Sequence, residues 1–227
     1  EIAQCLVGSE MCIRDRNNKF PVSKEMFDAV RAAGFQTVRI PVSYLDKITY
    51  DSENGKYIVD DTYMARVKQV VDSALASGLY VVIDMHNDGG NGIDGMWLDI
   101  TQTGNDFTAI KTKFAGVWTD IATTFADYDQ HLLFEGFNEL NNGYDTAPTI
   151  AELNNINALN QAFVTAVRST GGNNTDRVLV LNGYNADIDM TVMTGGFSKP
   201  NDTSEDRLML SVHYYLSLIH ISEPTRH

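Results

Sequence analysis

The stretch "DDTYMARVKQVVDSALASGLYVVIDMH", residues 60 to 86, contains a helix pattern and a strand pattern back to back. Its first part carries apolar residues at helical spacing and stops at Gly78; its second part, "LYVVIDMH" (79 to 86), is a continuous apolar run of strand length. A strand apolar on both faces belongs in a parallel sheet covered by helices.

The same unit recurs on both sides. Upstream, "SKEMFDAVRAAG" offers Ser23 as a cap, apolar Met26, Phe27, Val30 and Ala33, and Gly34 as a stop, and "FQTVRIPV" follows as a buried strand. Downstream, the helix pattern at 106 to 128 precedes "HLLFEGFNE", and that at 149 to 172 precedes "RVLVLNGY" (177 to 184). A fifth strand, "RLMLSVHYY" (207 to 215), comes after an irregular or helical stretch. The one G-x-G-x-x-G match, Gly90 to Gly95, does not open a helix pattern as a doubly wound nucleotide-binding sheet would call for, and no G-x-x-x-x-G-K-[ST] turn appears. The expectation is an α/β fold, a partial (β/α)8 TIM barrel holding about strands two to six, since eight units take about 250 residues.

Composition narrows the partners. With 227 residues and a formal charge of −13, the chain lacks the clustered cations that bind phosphates, so no nucleic-acid partner is expected. No run is long enough to cross a bilayer, so no membrane partner is expected either. Two cysteines, Cys5 and Cys12, exclude a disulfide framework. The segments "CLVGSEMCIRDR" (5 to 16) and "SLIHISEPTR" (217 to 226) resemble translated sequencing-adapter read-through. Residues 1–16 and 216–227 are therefore expected to be non-native, with 17–215 as the native domain.

Polar residues gather at the carboxyl ends of the strands: Arg39, His86, Asn138 with Glu139, Tyr184, and His213 with Tyr215. In a barrel those ends form the active-site face. Several have a second reading. Arg39 fits a buried ion pair with Glu135, and Asp84, His86 and Asp88, at period two, fit a shared metal-binding face. Trp97, in the Gly-rich loop "NDGGNGIDGMW", suits either stacking on a sugar or closing the rim. Glu139 beside Asn138 is the sharpest signal, because cleaving a glycosidic bond needs a carboxylic acid at the leaving oxygen and an amide suits the neighbouring hydroxyl.

In order, "TVRIPVSY", "VVIDMHNDGGNGIDGMW", "LLFEGFNEL" and "LMLSVHYY" resemble glycoside hydrolase family 5, the retaining endo-β-1,4-glucanases. The resemblance covers about residues 20 to 215. It implies Glu139 as acid/base, with Asn138, Arg39, His86, His213 and Tyr215 in the catalytic site. Trp97, Asn87, Asp88 and Tyr184 are assigned to substrate contact. Where many members have two consecutive histidines, this chain has His86 followed by Asn87. The family's nucleophile, a second glutamate at the end of strand seven, is absent from the chain. Glu135 does not replace it: four residues along a strand is ~13 Å, and a retaining pair sits about 5–5.5 Å apart. Glu223 lies in the adapter-like tail. The chain is therefore expected to be an inactive fragment of a two-glutamate enzyme that uses no cofactor and no metal. The complete enzyme is expected to act as a monomer on β-glucan polysaccharide or oligosaccharide, outside the cell or at its surface, because that is where such polymers lie. The rival classes are a non-catalytic glycan-binding barrel and a metal-dependent hydrolase built on Asp84, His86 and Asp88.

Overall fold

Local signals fix the helices. In the computed structural model, which describes residues 2–4, 22–89, 95–143, 146–193 and 195–213, α1 spans Lys24–Ala32 after Ser23, and the chain reverses at Gly34 with φ +97°. That left-handed conformation favours glycine. Helix α2, Asp61–Ala76, starts at Asp60, whose side chain accepts from the Tyr63 N–H at 2.8 Å. Helix α3 covers Gly104–Thr124, and α4 covers Ile150–Ser169 behind a reciprocal capping box of Thr149 and Glu152.

Among the described residues, six strands form one all-parallel sheet. They are β1 (Ile2–Gln4), β2 (Thr37–Val42), β5 (Tyr80–Met85), β6 (Leu132–Glu135), β7 (Leu179–Asn182) and β8 (Leu208–Ser211), neighbours in that order. The five strands expected from the sequence are all present, and helices link successive members. The molecule is a partial α/β barrel. One difference concerns the start of the chain, because Ile2–Gln4 pairs with Thr37–Arg39 on the outer edge of β2, where the sequence reading left strand one missing. Cys5, Cys12, Tyr215, Glu223 and both adapter-like segments lie outside the described residues.

The antiparallel hairpin β3 (Ile48–Asp51) with β4 (Lys56–Val59) was unassigned from sequence. It packs on α3, where Tyr57 leaves no room for a Cβ at Gly116. Beneath the sheet, Trp118 of α3 stacks against Phe134 and Phe163, and its indole donates to the Gly136 carbonyl at 2.9 Å. No helix among the described residues is long and apolar enough to span a membrane.

Candidate active site

The parallel register places one polar side chain from each central strand in a buried layer. Asp84 of β5 and Glu135 of β6 are direct cross-strand partners, so two carboxylates face each other in the interior. Like charges in that arrangement repel. Arg39, reaching over from β2, resolves the conflict: Nε donates to Glu135 Oε2 at 2.5 Å, and Nη2 reaches Asp84 Oδ2 at 2.8 Å and Glu135 Oε1 at 2.9 Å. Burial opposes the Arg39 charge, but attraction from Asp84, Glu135 and Glu139 outweighs it and holds the guanidinium above its ordinary value. Asn182 of β7 completes the layer by donating to Glu135 Oε1 at 2.8 Å. The buried ion pair of Arg39 with Glu135 is thus present.

Backbone bonds hold the next residues above this layer. The His86 N–H donates to Val42 O at 2.8 Å, Asn138 N–H to Met85 O at 3.0 Å, and His213 N–H to Ala186 O at 2.8 Å. Asn138 Oδ1 accepts from Arg39 Nη2 at 3.0 Å. That use of the oxygen leaves the amide N–H groups of Asn138 to donate elsewhere. His86 Nδ1 lies 2.7 Å from Asp84 Oδ2, which fixes the proton on Nδ1. Glu139 Oε1 lies 2.5 Å from His213 Nδ1, with their side chains only 11% and 20% exposed. The site therefore brings together Arg39, His86, Asn138, Glu139 and His213, drawn from four separate strands.

Other expected contacts are placed differently. Tyr184 is buried, and its hydroxyl bonds to Asn142 and to Thr146 O at 2.9 Å, bracing the loop after β6. Asp88 has no exposed surface, and its oxygens accept from Tyr44 N, Leu45 N and Trp97 Nε1, each at 2.8 Å. Asp84, His86 and Asp88 consequently do not converge, and no group of three His, Cys, Asp or Glu side chains among the described residues is arranged around a metal ion. Asn87 donates its N–H to Ser43 Oγ at 3.1 Å, and its side chain is half-buried. Trp97 is half-buried, with Lys113 Nζ 4.1 Å from the ring centroid.

Residues that sequence reasoning missed brace Glu139. Asn141 Nδ2 donates to the Glu139 carbonyl at 2.9 Å and to Asn185 Oδ1 at 3.0 Å, tying the loop after β6 to the turn after β7. No motif signals a bond across 44 residues.

A half-buried glutamate at a barrel-strand mouth, beside an amide aligned by a buried arginine, is an arrangement for protonating a glycosidic oxygen. Residues 6–225 match the family Cellulase (glycosyl hydrolase family 5). The chain belongs to glycosyl hydrolase family 5. The family 5 chain is 42% identical over 202 residues to an endoglucanase A from Paenibacillus barcinonensis, covering 86% of this chain and 49% of that protein. It superposes on a family 5 xyloglucanase from Paenibacillus pabuli with a TM-score of 0.80 at 43% identity, covering 87% of this chain and 56% of the other. A family 5 enzyme variant from Prevotella bryantii, solved with a xyloglucan tetradecasaccharide, gives a TM-score of 0.79 at 33% identity, covering 94% and 63%. The chain spans about half the length of the curated relatives it matches.

Proposed function

We propose that this chain carries the acid/base half of a retaining endo-β-1,4-glucanase site. The observation that carries the reading is Glu139, bonded to His213 and flanked by an Asn138 amide whose oxygen is held by Arg39. In the first step the second carboxylate, on a strand outside this sequence, attacks the anomeric carbon. The glycosidic C–O bond breaks, and Glu139 gives its proton to the departing oxygen. In the second step Glu139, now a carboxylate, takes a proton from water, whose oxygen displaces the enzyme carboxylate from the same carbon. Asn138 donates to the oxygen of the sugar 2-hydroxyl and orients that group, one of the 2-hydroxyl contacts that tighten in the transition state.

The substrate is a β-1,4-linked glucan, in keeping with the endoglucanase and xyloglucanase names of the relatives. The catalytic domain comprises native residues 17–215, and the enzyme works as a monomer outside the cell or on its surface. Without the second carboxylate the 227-residue chain alone does not turn over glucan.

Three measurements test this. The chain alone releases no reducing ends from barley β-glucan. The complete enzyme, expressed from the source gene read beyond residue 213, first releases the β-anomer, as followed by proton NMR. Glu139→Gln in that enzyme lowers turnover of glucan by about 10²–10⁴-fold, and by far less for an aryl cellobioside whose leaving group needs no proton. Release of the α-anomer first, or near-normal glucan turnover by the variant, refutes the assignment.

A further inference from the structure

Glu139 and His213 meet side chain to side chain, yet they follow β6 and β8, which are not neighbours in the sheet. β7 lies between them, and the turn that follows it, residues 183–186, spans the gap. On one side this turn holds three consecutive residues just after the acid. The Asn185 N–H donates to Leu140 O at 2.8 Å, Asn185 Oδ1 accepts from Asn141 Nδ2 at 3.0 Å, and the Tyr184 hydroxyl accepts from Asn142 N at 3.0 Å. Asn141 Nδ2 also donates to the Glu139 carbonyl at 2.9 Å. On the other side Ala186 O accepts from the His213 N–H at 2.8 Å. With Glu139 Oε1 at 2.5 Å from His213 Nδ1, these bonds close a circuit that runs from the acid through Asn185 and Ala186 to the histidine and back.

The turn keeps this shape against its own backbone preference. Asn185 and Ala186 adopt φ +54° and +49°, a left-handed conformation that a Cβ disfavours and that asparagine tolerates better than alanine. Packing pins it there: Ala186 is fully buried, and Thr191 of the helical turn Asp189–Met193 leaves no room for a Cβ at Gly183. Two successive residues in such a conformation persist only where the surroundings over-determine them, and such strain gathers where geometry serves function. We propose that Asn185 is a positioning residue for the acid, the link through which the turn after β7 holds Glu139 and His213 in register for proton transfer. This rests on the acid/base reading above. Misplacing a reacting group by about 1 Å costs about 10²-fold in rate, so the link acts on the step that needs the proton.

Asn185→Gly removes the side-chain acceptor while suiting φ +54°, so it cuts the link without straining the turn. In the 227-residue chain the Glu139–His213 hydrogen bond gives a downfield proton signal, assigned by its loss in His213→Phe. Exchange of that proton with water is expected to speed up about tenfold in Asn185→Gly, as for a local opening. In the complete enzyme, Asn185→Gly lowers kcat/KM about tenfold on barley β-glucan and on phenyl cellobioside, and by less than about twofold on a dinitrophenyl cellobioside, whose leaving group needs no proton. Asn141→Ala, which removes the other end of the same bond, gives the same pattern, and the double variant is no worse than Asn141→Ala alone. A loss equal on all three substrates marks a merely structural role and overturns the proposal, as do unchanged proton exchange and additive losses in the double variant. Glu139→Gln separates the two readings. If it is impaired on glucan and Asn185→Gly is not, this proposal alone falls; if Glu139→Gln turns over glucan normally, the acid reading falls and takes the proposal with it.

Discussion

Replacing Arg39 with methionine tests the buried layer on which the site stands. The change removes the bonds to Glu135, Asp84 and Asn138 and leaves two adjacent buried carboxylates facing each other. Breaking a buried ion pair from one side costs about 3–5 kcal/mol, because the remaining charge stays in a medium that solvates it poorly. Against a typical total of about 5–15 kcal/mol, that is a large share. With a urea dependence of about 2 kcal/mol per molar, the unfolding midpoint falls by about 2 M. The readout is fluorescence of Trp118, which sits among Phe134 and Phe163 and becomes wet only on unfolding. Adding Glu135→Leu to Arg39→Met restores part of the loss, since an apolar replacement of the pair leaves fewer unmatched charges. The control is Lys24→Met, which breaks the exposed pair with Asp28 and gives no measurable shift. An Arg39→Met midpoint no lower than that control refutes the view that Arg39 neutralises the interior.

Other perturbations follow from single contacts. Burial raises Asp88 from 3.8 to about 6, so its contribution to stability is full below pH ~4 and is lost as pH rises through 6. Relative to Asp88→Asn, the unsubstituted chain therefore loses on the order of 3 kcal/mol between pH 4 and 7, measurable by urea unfolding across that range. Arg177 is buried and donates to the carbonyls of Phe125, Tyr128, Asp129 and Leu132 at 2.6–3.0 Å. Arg177→Met leaves those acceptors short of donors and lowers stability by about 3 kcal/mol or more in the same assay. Gly89→Ala drives a methyl into Leu140 and the Leu98 carbonyl, costs about 1–3 kcal/mol, and lowers glucan kcat/KM of the complete enzyme by displacing the backbone next to Glu139.

The strands and long helices were legible because each carries its own signal: apolar runs for the strands, helical spacing of apolar residues for the helices, and Ser23, Gly34 and Gly78 as punctuation. The hairpin was missed although Asn54-Gly55 between "ITYD" and "KYIV" is a turn signal, because its strands are half exposed and read as loop. Asp88 shows where periodicity runs out. Period two put it on one face with Asp84 and His86, but β5 ends at Met85, and beyond a strand end alternation no longer governs direction. Tyr184 meets the same limit. β7 ends at Asn182, and the turn at Tyr184–Ala186, with Asn185 at φ +54°, carries the ring inward.

The site is built in two storeys, and the lower one explains the precision of the upper. Asp84, Arg39, Glu135 and Asn182 form a continuous chain of hydrogen bonds across β5, β2, β6 and β7. His86 and Asn138 hang from that chain through Asp84 and Arg39, so their orientation is set by strand pairing rather than by loops. Glu139 is held from the other side, by His213 and by the Asn141–Asn185 link. The lower storey is incomplete among the described residues, since Asp84 Oδ1 and Asn182 Oδ1 are buried without a donor. An unmet buried acceptor costs about 1–3 kcal/mol. Both lie on central strands, β5 and β7, whose other side-chain bonds to Arg39 and Glu135 hold the layer together. At the β8 edge, by contrast, Met209, Leu210 and Val212 are exposed. The layer that orients Asn138 is thus built into the strand pairing itself, which couples the stability of the sheet to the alignment of the site.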